Sequence, residues 1–197
     1  MTPSGDYHDY VIKDGQFIGK FEEMYRDCDD PWHESTEDYE DSACSLATKR
    51  LIHAMGRPLV VSLGSGKGRH LQWLECFGFG VETSQTAINH APCATFHADA
   101  IEFLRSPYAI DDVYLFREVV WYLLQDWKEI CTLLATKHGA LVIVELSFYD
   151  EQHYGRDYFD GPDDFIRKWP FTIEKIVREH TTKHQREGRL MIAGKVV

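Results

Sequence analysis

Val60-Val61-Ser62-Leu63-Gly64-Ser65-Gly66-Lys67-Gly68-Arg69 is the stretch on which the reading of the whole chain turns. Leu59–Leu63 is a short apolar, β-branched run, the pattern of a strand buried on both faces of a parallel sheet. Gly64, Gly66 and Gly68 then alternate with Ser65 and Lys67, ahead of a helix expected over about Arg69 to Glu75. A glycine-rich turn between strand and helix brings backbone N–H groups close to an anionic or polar ligand, because no Cβ stands in the way.

Downstream, the same alternation repeats. Phe79–Glu82, Thr95–His97, Asp112–Phe116 and Ala140–Leu146 read as four further strands. A helix is expected over about Trp127–Thr136, closed by Gly139 in a left-handed cap. This rhythm predicts an α/β fold, a Rossmann-like doubly wound sheet of five parallel strands. Gly161-Pro162-Asp163-Asp164 reads as a helix start, with Phe165, Ile166 and Trp169 on one face. Phe171–Thr182 and Arg189–Val197 read as two strands about a polar turn at Glu187-Gly188. So short a connection forces them antiparallel, giving a C-terminal antiparallel hairpin. Upstream, residues 1–42 are acidic and rich in aromatics (Phe17, Phe21, Tyr25, Trp32, Tyr39), with a short helix expected near Phe17–Arg26. Pro31 should exclude helical geometry at Asp30. The expected division is an N-terminal helical extension or lid, 1–42, and a main domain, 43–197.

The charge narrows the partners. Against 21 Lys and Arg stand 32 Asp and Glu, a formal net charge of −11, densest from Glu22 to Asp41. Gripping a phosphate backbone needs a basic face, so nucleic acid is disfavoured and neutral or cationic small molecules are favoured. Apolar runs such as Ala140–Val144 are too short to cross a bilayer, and the N-terminus carries no signal-peptide series. The five cysteines (Cys28, Cys44, Cys76, Cys93, Cys131) include no CxxC pair. They read as reduced thiols of a cytoplasmic protein, not as a disulfide framework or a zinc site. The oligomeric state is left open.

Three kinds of phosphate- or nucleoside-binding turn compete for the glycine loop. A P-loop needs GxxxxGK followed by Ser or Thr; its first glycine would fall at Val61, and Gly68 stands in place of the hydroxyl. A dinucleotide fingerprint needs GxGxxG, and its third glycine would fall at Arg69. The pattern present is GxGxG directly after a strand, which resembles motif I of the class I S-adenosylmethionine (SAM)-dependent methyltransferases. Gly80–Ala91, GVETSQTAINHA, resembles that family's second motif. Glu82 ends a strand with a carboxylate suited to accept both ribose hydroxyls. Ala98-Asp99-Ala100 follows the next strand, where the family places an acid that accepts from the adenine amino group. The resemblance therefore implies SAM as cofactor, held by Gly64, Ser65, Gly66, Glu82, Thr83, Asp99 and Ala100, with Phe116 and Arg117 lining its methionine end. It spans roughly residues 43–197. Two features depart from it: Ser62 stands where the family usually carries an acid, and the segment between loop and Glu82 is a little short. Tyr25-Arg26-Asp27-Cys28-Asp29-Asp30-Pro31-Trp32 resembles the lid of small-molecule enzymes akin to nodulation-factor N-methyltransferases.

Methyl transfer from a sulfonium is an in-line displacement, so much of its acceleration comes from alignment. A base is needed only where the acceptor must lose a proton. Catalytic candidates belong at the carboxyl ends of the fourth and fifth strands or in the lid: Glu118, which can attract a cationic amine; His153, among Tyr149, Tyr154 and Tyr158; and His33, beside Trp32. Each has a plainer reading, Glu118 as a helix N-terminal acid and the histidines as solvated loop residues. Metal is not expected. His180 and His184 are four apart in a strand and turn, where that spacing does not converge, and no further ligand completes a set. The function this implies is methyl transfer from SAM to a nitrogen or oxygen of a small-molecule acceptor. The alternatives are a catalytically inactive SAM-binding regulatory protein and, disfavoured by Arg69, a nucleotide-dependent oxidoreductase.

Overall fold

Val60–Leu63 pairs in parallel with Gly78–Val81 on one side and with Val113–Phe116 on the other, so it is the central strand from which the sheet is built. The structure, a computed structural model, describes residues 7–56, 58–149, 153–180 and 186–197. In chain order its main elements are β1 (Ile12–Lys13), β2 (Gln16–Phe17), α1 (Phe21–Asp27), α2 (Ala43–Ala54), β3 (Val60–Leu63), α3 (Arg69–Trp73), β4 (Gly78–Glu82) and α4 (Gln85–Asn89). They continue with β5 (Thr95–His97), α5 (Ala100–Arg105), β6 (Val113–Arg117), α6 (Trp127–Leu134), β7 (Leu141–Tyr149), α7 (Pro162–Arg167), β8 (Thr172–Glu179) and β9 (Arg186–Lys195). The large sheet has the order β5-β4-β3-β6-β7-β9-β8. The first five strands of that order run parallel, and β9 lies antiparallel to both β7 and β8.

Burial follows the pleat. Val61, Leu63, Tyr114 and Phe116 face one side, in a core that includes Trp121, Trp127, Ile130 and Phe165. Val60, Val113 and Leu115 face the other, with Cys44 and Ile52 of α2 and Leu71 of α3. The five-stranded parallel core and the antiparallel end are as expected from the sequence, but several boundaries move. The turn expected at Glu187-Gly188 lies inside β9, and residues 181–185, His184 among them, lie outside the described residues. Phe148 pairs with Gly188 and Tyr149 with Arg186, so one residue of β9 bulges there, the usual way a strand absorbs an extra residue. The helix expected from Phe17 begins only at Phe21, because Gln16–Phe17 pairs with Ile12–Lys13 and Gly19 turns left-handed at φ +62°. Helix α2 had no sequence expectation; Ser42 starts it, accepting from the Ser45 N–H.

The N-terminal segment is tied to the rest of the chain at Glu22 and at Asp29. Glu22 of α1 accepts from Ser84 Oγ at 2.7 Å, Thr86 N–H at 3.1 Å and Thr86 Oγ1 at 2.6 Å, which holds its carboxyl down at about 2. Lys67 Nζ, inside the glycine loop, donates to the Asp29 carbonyl. Among the described residues no helix is long and apolar enough to cross a membrane.

Candidate functional site

The carboxyl ends of the parallel strands open into a cavity of about 1430 Å³. Pockets for a single small ligand run to roughly 300–1,000 Å³, so this one has room for two ligands side by side. One wall is backbone. Gly64, Gly66 and Gly68 all have positive φ, at +66°, +54° and +70°. A Cβ on Gly64 would sit 2.3 Å from Val119 Cγ2, and one on Gly66 would sit 2.7 Å from the Tyr25 hydroxyl. Only glycine fits at these two positions, for conformational and steric reasons at once.

Glu82, at the end of β4, is 7% exposed and holds the loop in place. Its Oε2 accepts from Gly66 N–H at 2.8 Å. Its Oε1 accepts from Thr83 N–H at 2.8 Å, Thr83 Oγ1 at 3.2 Å and Ser84 N–H at 2.9 Å. Each carboxylate oxygen offers about two acceptor positions, so Oε2, with one hydrogen bond, keeps one position free. Asp99 starts α5 by accepting from Glu102 N–H through Oδ1 at 2.8 Å, which leaves Oδ2 uncommitted. Gly64, Gly66, Glu82, Thr83, Asp99, Ala100 and Arg117 all line the cavity. Ser65 and Phe116 do not. Ser65 Oγ is buried without a hydrogen bond, against Gly80, and Phe116 is wholly buried with its ring 5.4 Å from Trp127. Ser62 is buried within β3, away from the opening.

The opposite wall comes from the N-terminal segment and the late strands. Tyr7 and Trp32 have ring centroids 5.0 Å apart, Trp32 and Tyr122 5.6 Å, and Phe21 and Tyr122 5.5 Å. Trp32 Nε1 donates to the Tyr25 hydroxyl at 2.8 Å, so the aromatics of the N-terminal segment are braced against the glycine loop. Below them lies a charge network. Glu37 Oε1 accepts from Arg117 at 2.5 Å and from Arg189 at 3.0 Å. Arg117 also lies 3.6 Å from Glu145, which is completely buried; burial raises the Glu145 carboxyl above its ordinary range, against the pull of Arg117.

All three catalytic candidates line this same cavity. Glu118 sits at the mouth of the network with φ +55°, a left-handed backbone that few non-glycine residues adopt. Its carboxylate accepts from Ser147 N–H at 2.9 Å and Ser147 Oγ at 2.6 Å and pairs with Arg189 Nε at 3.1 Å. That engagement makes it a part of the wall. His33 and His153 are exposed at the rim. Nothing local in the sequence marks Glu37, Arg189 or Glu34, which also lines the cavity; Glu37 and Arg189 are 152 positions apart, beyond any local signal. Among the described residues no three of His, Cys, Asp or Glu are placed to hold a metal ion.

No protein-family model and no curated protein sequence matches the chain. Solved structures do. The N-methyltransferase NodS from Bradyrhizobium japonicum, in complex with S-adenosyl-l-homocysteine (SAH), matches at a TM-score of 0.66 with 16% identity, over 89% of this chain and 97% of that one. Magnesium protoporphyrin IX methyltransferase (ChlM) from Synechocystis PCC 6803, with bound SAM, matches at 0.56 with 15% identity, over 78% of each chain. WbdD matches at 0.62 with 19% identity over 88% of this chain, which spans 43% of the WbdD chain. The fold is therefore that of the class I SAM-dependent methyltransferases.

Proposed function

We propose that the chain transfers a methyl group from SAM to a nitrogen or oxygen of a small-molecule acceptor. The observation that carries this reading is the convergence of the glycine loop, Glu82 and Asp99 on one wall of a cavity whose other wall is aromatic and acidic. The neighbours NodS and ChlM, crystallised with SAH and SAM, support the same cofactor. When bound, SAM supplies a methyl group on a sulfonium, open to in-line displacement by the acceptor's lone pair.

In this reading the residues divide the work by position. Glu82 Oε2 accepts a ribose hydroxyl on its free lone pair, and Asp99 Oδ2 accepts from the adenine amino group. Gly64 and Gly66 allow the ligand to lie against the backbone. Thr83, Ala100 and Arg117 complete the cofactor wall. Tyr7, Phe21, Trp32 and Tyr122 exclude water and present ring faces that favour a cation. Residues up to Ser42 serve as a lid over the acceptor. Glu118 holds Ser147 and Arg189 in place and keeps negative charge at the acceptor end, while His33 or His153 takes the acceptor's proton where one must leave. Alignment supplies up to ~7–11 kcal/mol in well-oriented reactions, and a base adds ~10²–10⁴-fold.

The test is methyl transfer from radiolabelled SAM to a panel of amines, phenols and amino sugars. Labelled product is expected with at least one acceptor, and with it a fall in turnover of about 100-fold in whichever of His33→Ala and His153→Ala removes the base. SAM binding without labelled product from any of them would instead favour the inactive regulatory protein.

A further inference from the structure

An extended ligand with its adenine near Asp99 and its ribose at Glu82 starts over β5 and β4. The strand order β5-β4-β3-β6 then directs its remaining end across the glycine loop toward the end of β6. In SAM and SAH that end is an amino acid, with an ammonium and a carboxylate. An ammonium buried there needs an anion that is not already neutralised.

The carboxylates around this end are nearly all committed. Glu82 accepts from Gly66, Thr83 and Ser84. Glu37 bridges Arg117 and Arg189. Asp30 accepts from the backbone N–H groups of Glu34 and Ser35 at 3.0 and 2.9 Å. Glu34 differs. It lines the cavity from the short turn Glu34–Thr36, which Asp30 fixes in position, and among the described residues its carboxylate accepts no hydrogen bond and makes no ion pair. It lies within electrostatic reach of Tyr25, whose hydroxyl covers Gly66, and of Arg117 at the end of β6. Burial holds its carboxyl above the ordinary range, with Glu37 and Asp30 adding to the effect and Arg117 and Arg69 opposing it. A half-buried carboxylate in that state is stabilised by any cation that reaches it.

We propose that Glu34 receives the α-ammonium group at the amino-acid end of the cofactor, and so selects ligands that carry the amino acid over those with adenosine alone. This rests on SAM being the cofactor. The experiment is calorimetric titration of wild type and Glu34→Gln with SAH and with 5′-methylthioadenosine, which lacks the amino acid. Wild type is expected to prefer SAH. Glu34→Gln should bind SAH about 10- to 100-fold more weakly, the range of a charge-assisted hydrogen bond, and bind methylthioadenosine as wild type does. Unchanged SAH affinity would overturn the assignment. So would an equal loss for both ligands, which would make Glu34 a support for the wall. If wild type bound neither ligand, the cofactor reading itself would fall, and this inference with it.

Discussion

The two walls of the cavity are built in opposite ways. The wall we propose for the cofactor is short-range: Gly64, Gly66, Glu82, Asp99 and Ala100 fall within 37 consecutive residues, and each ends or closely follows one of three adjacent parallel strands. Its hydrogen bonds run between backbone and the strand-end acids. The opposite wall, which we propose for the acceptor, is long-range. Glu37 meets Arg117 and Arg189 across separations of 80 and 152 residues, and its aromatics come from the N-terminus and from the loop after β6. A site made of backbone tolerates change around it but not in it, whereas a site made of paired charges responds to pH and to the loss of one partner.

That contrast breaks most sharply at Gly64. Gly64→Ala places a Cβ at φ +66° and 2.3 Å from Val119. The left-handed conformation costs ~1–2 kcal/mol and overpacking ~1–3 kcal/mol. A loss of about 2–5 kcal/mol in chemical denaturation is expected, with SAH binding lost alongside it. A stability within 0.5 kcal/mol of wild type, taken as roughly the spread of neutral surface changes, would show that the loop relaxes freely.

Glu37→Gln should cost less and show it in the pH profile. Burial alone would raise the Glu37 carboxyl, but Arg117 and Arg189 win and hold it below its ordinary range. A depressed folded value contributes stability that is present above the unfolded carboxyl range, near pH 4.3, and lost as pH falls through the folded value. Wild type should therefore lose its advantage over Glu37→Gln on acidification from about pH 5 downward, after a difference of about 1–3 kcal/mol at neutral pH. Parallel pH curves for the two proteins would remove Glu37 from the network's energetics. Hydrogen exchange in residues 28–42 should rise in the variant, because its hold on the sheet is weakened.

The smallest effect is expected from Glu118→Gln. The amide oxygen still accepts from Ser147 while the charge opposite Arg189 is gone. Turnover should fall by less than about tenfold, a positioning loss, with SAH affinity within about twofold. An unaffected rate would take Glu118 out of the acceptor site; a loss carried wholly by SAH affinity would move it to the cofactor wall.

How much of this the chain announces follows from the same contrast. The parallel core was legible because buried strands such as Val60–Leu63 are continuous apolar runs, and the shared cavity wall of Gly64, Gly66, Glu82 and Asp99 because these residues keep fixed offsets from strand ends. Phe116 was misjudged as a lining residue since adjacent positions on a strand face opposite sides: Arg117 reaches the cavity and Phe116 fills the core. Glu187-Gly188 reads as a turn because a glycine stands beside a charged residue, whereas Gly188 pairs with Phe148 inside β9. Glu34, Glu37 and Arg189 were invisible, since a charged residue looks solvated until the fold supplies its surroundings.

The reading as a whole stands on Glu82 facing a ribose across the loop it holds in place. Titrating SAH calorimetrically into wild type and Glu82→Ala tests this most directly. One SAH per wild-type chain is predicted, with affinity reduced about 10- to 100-fold in the variant, as one charge-assisted hydrogen bond at ~1.5–3 kcal/mol requires. Equal affinity in the two proteins, or no binding to wild type, would contradict it.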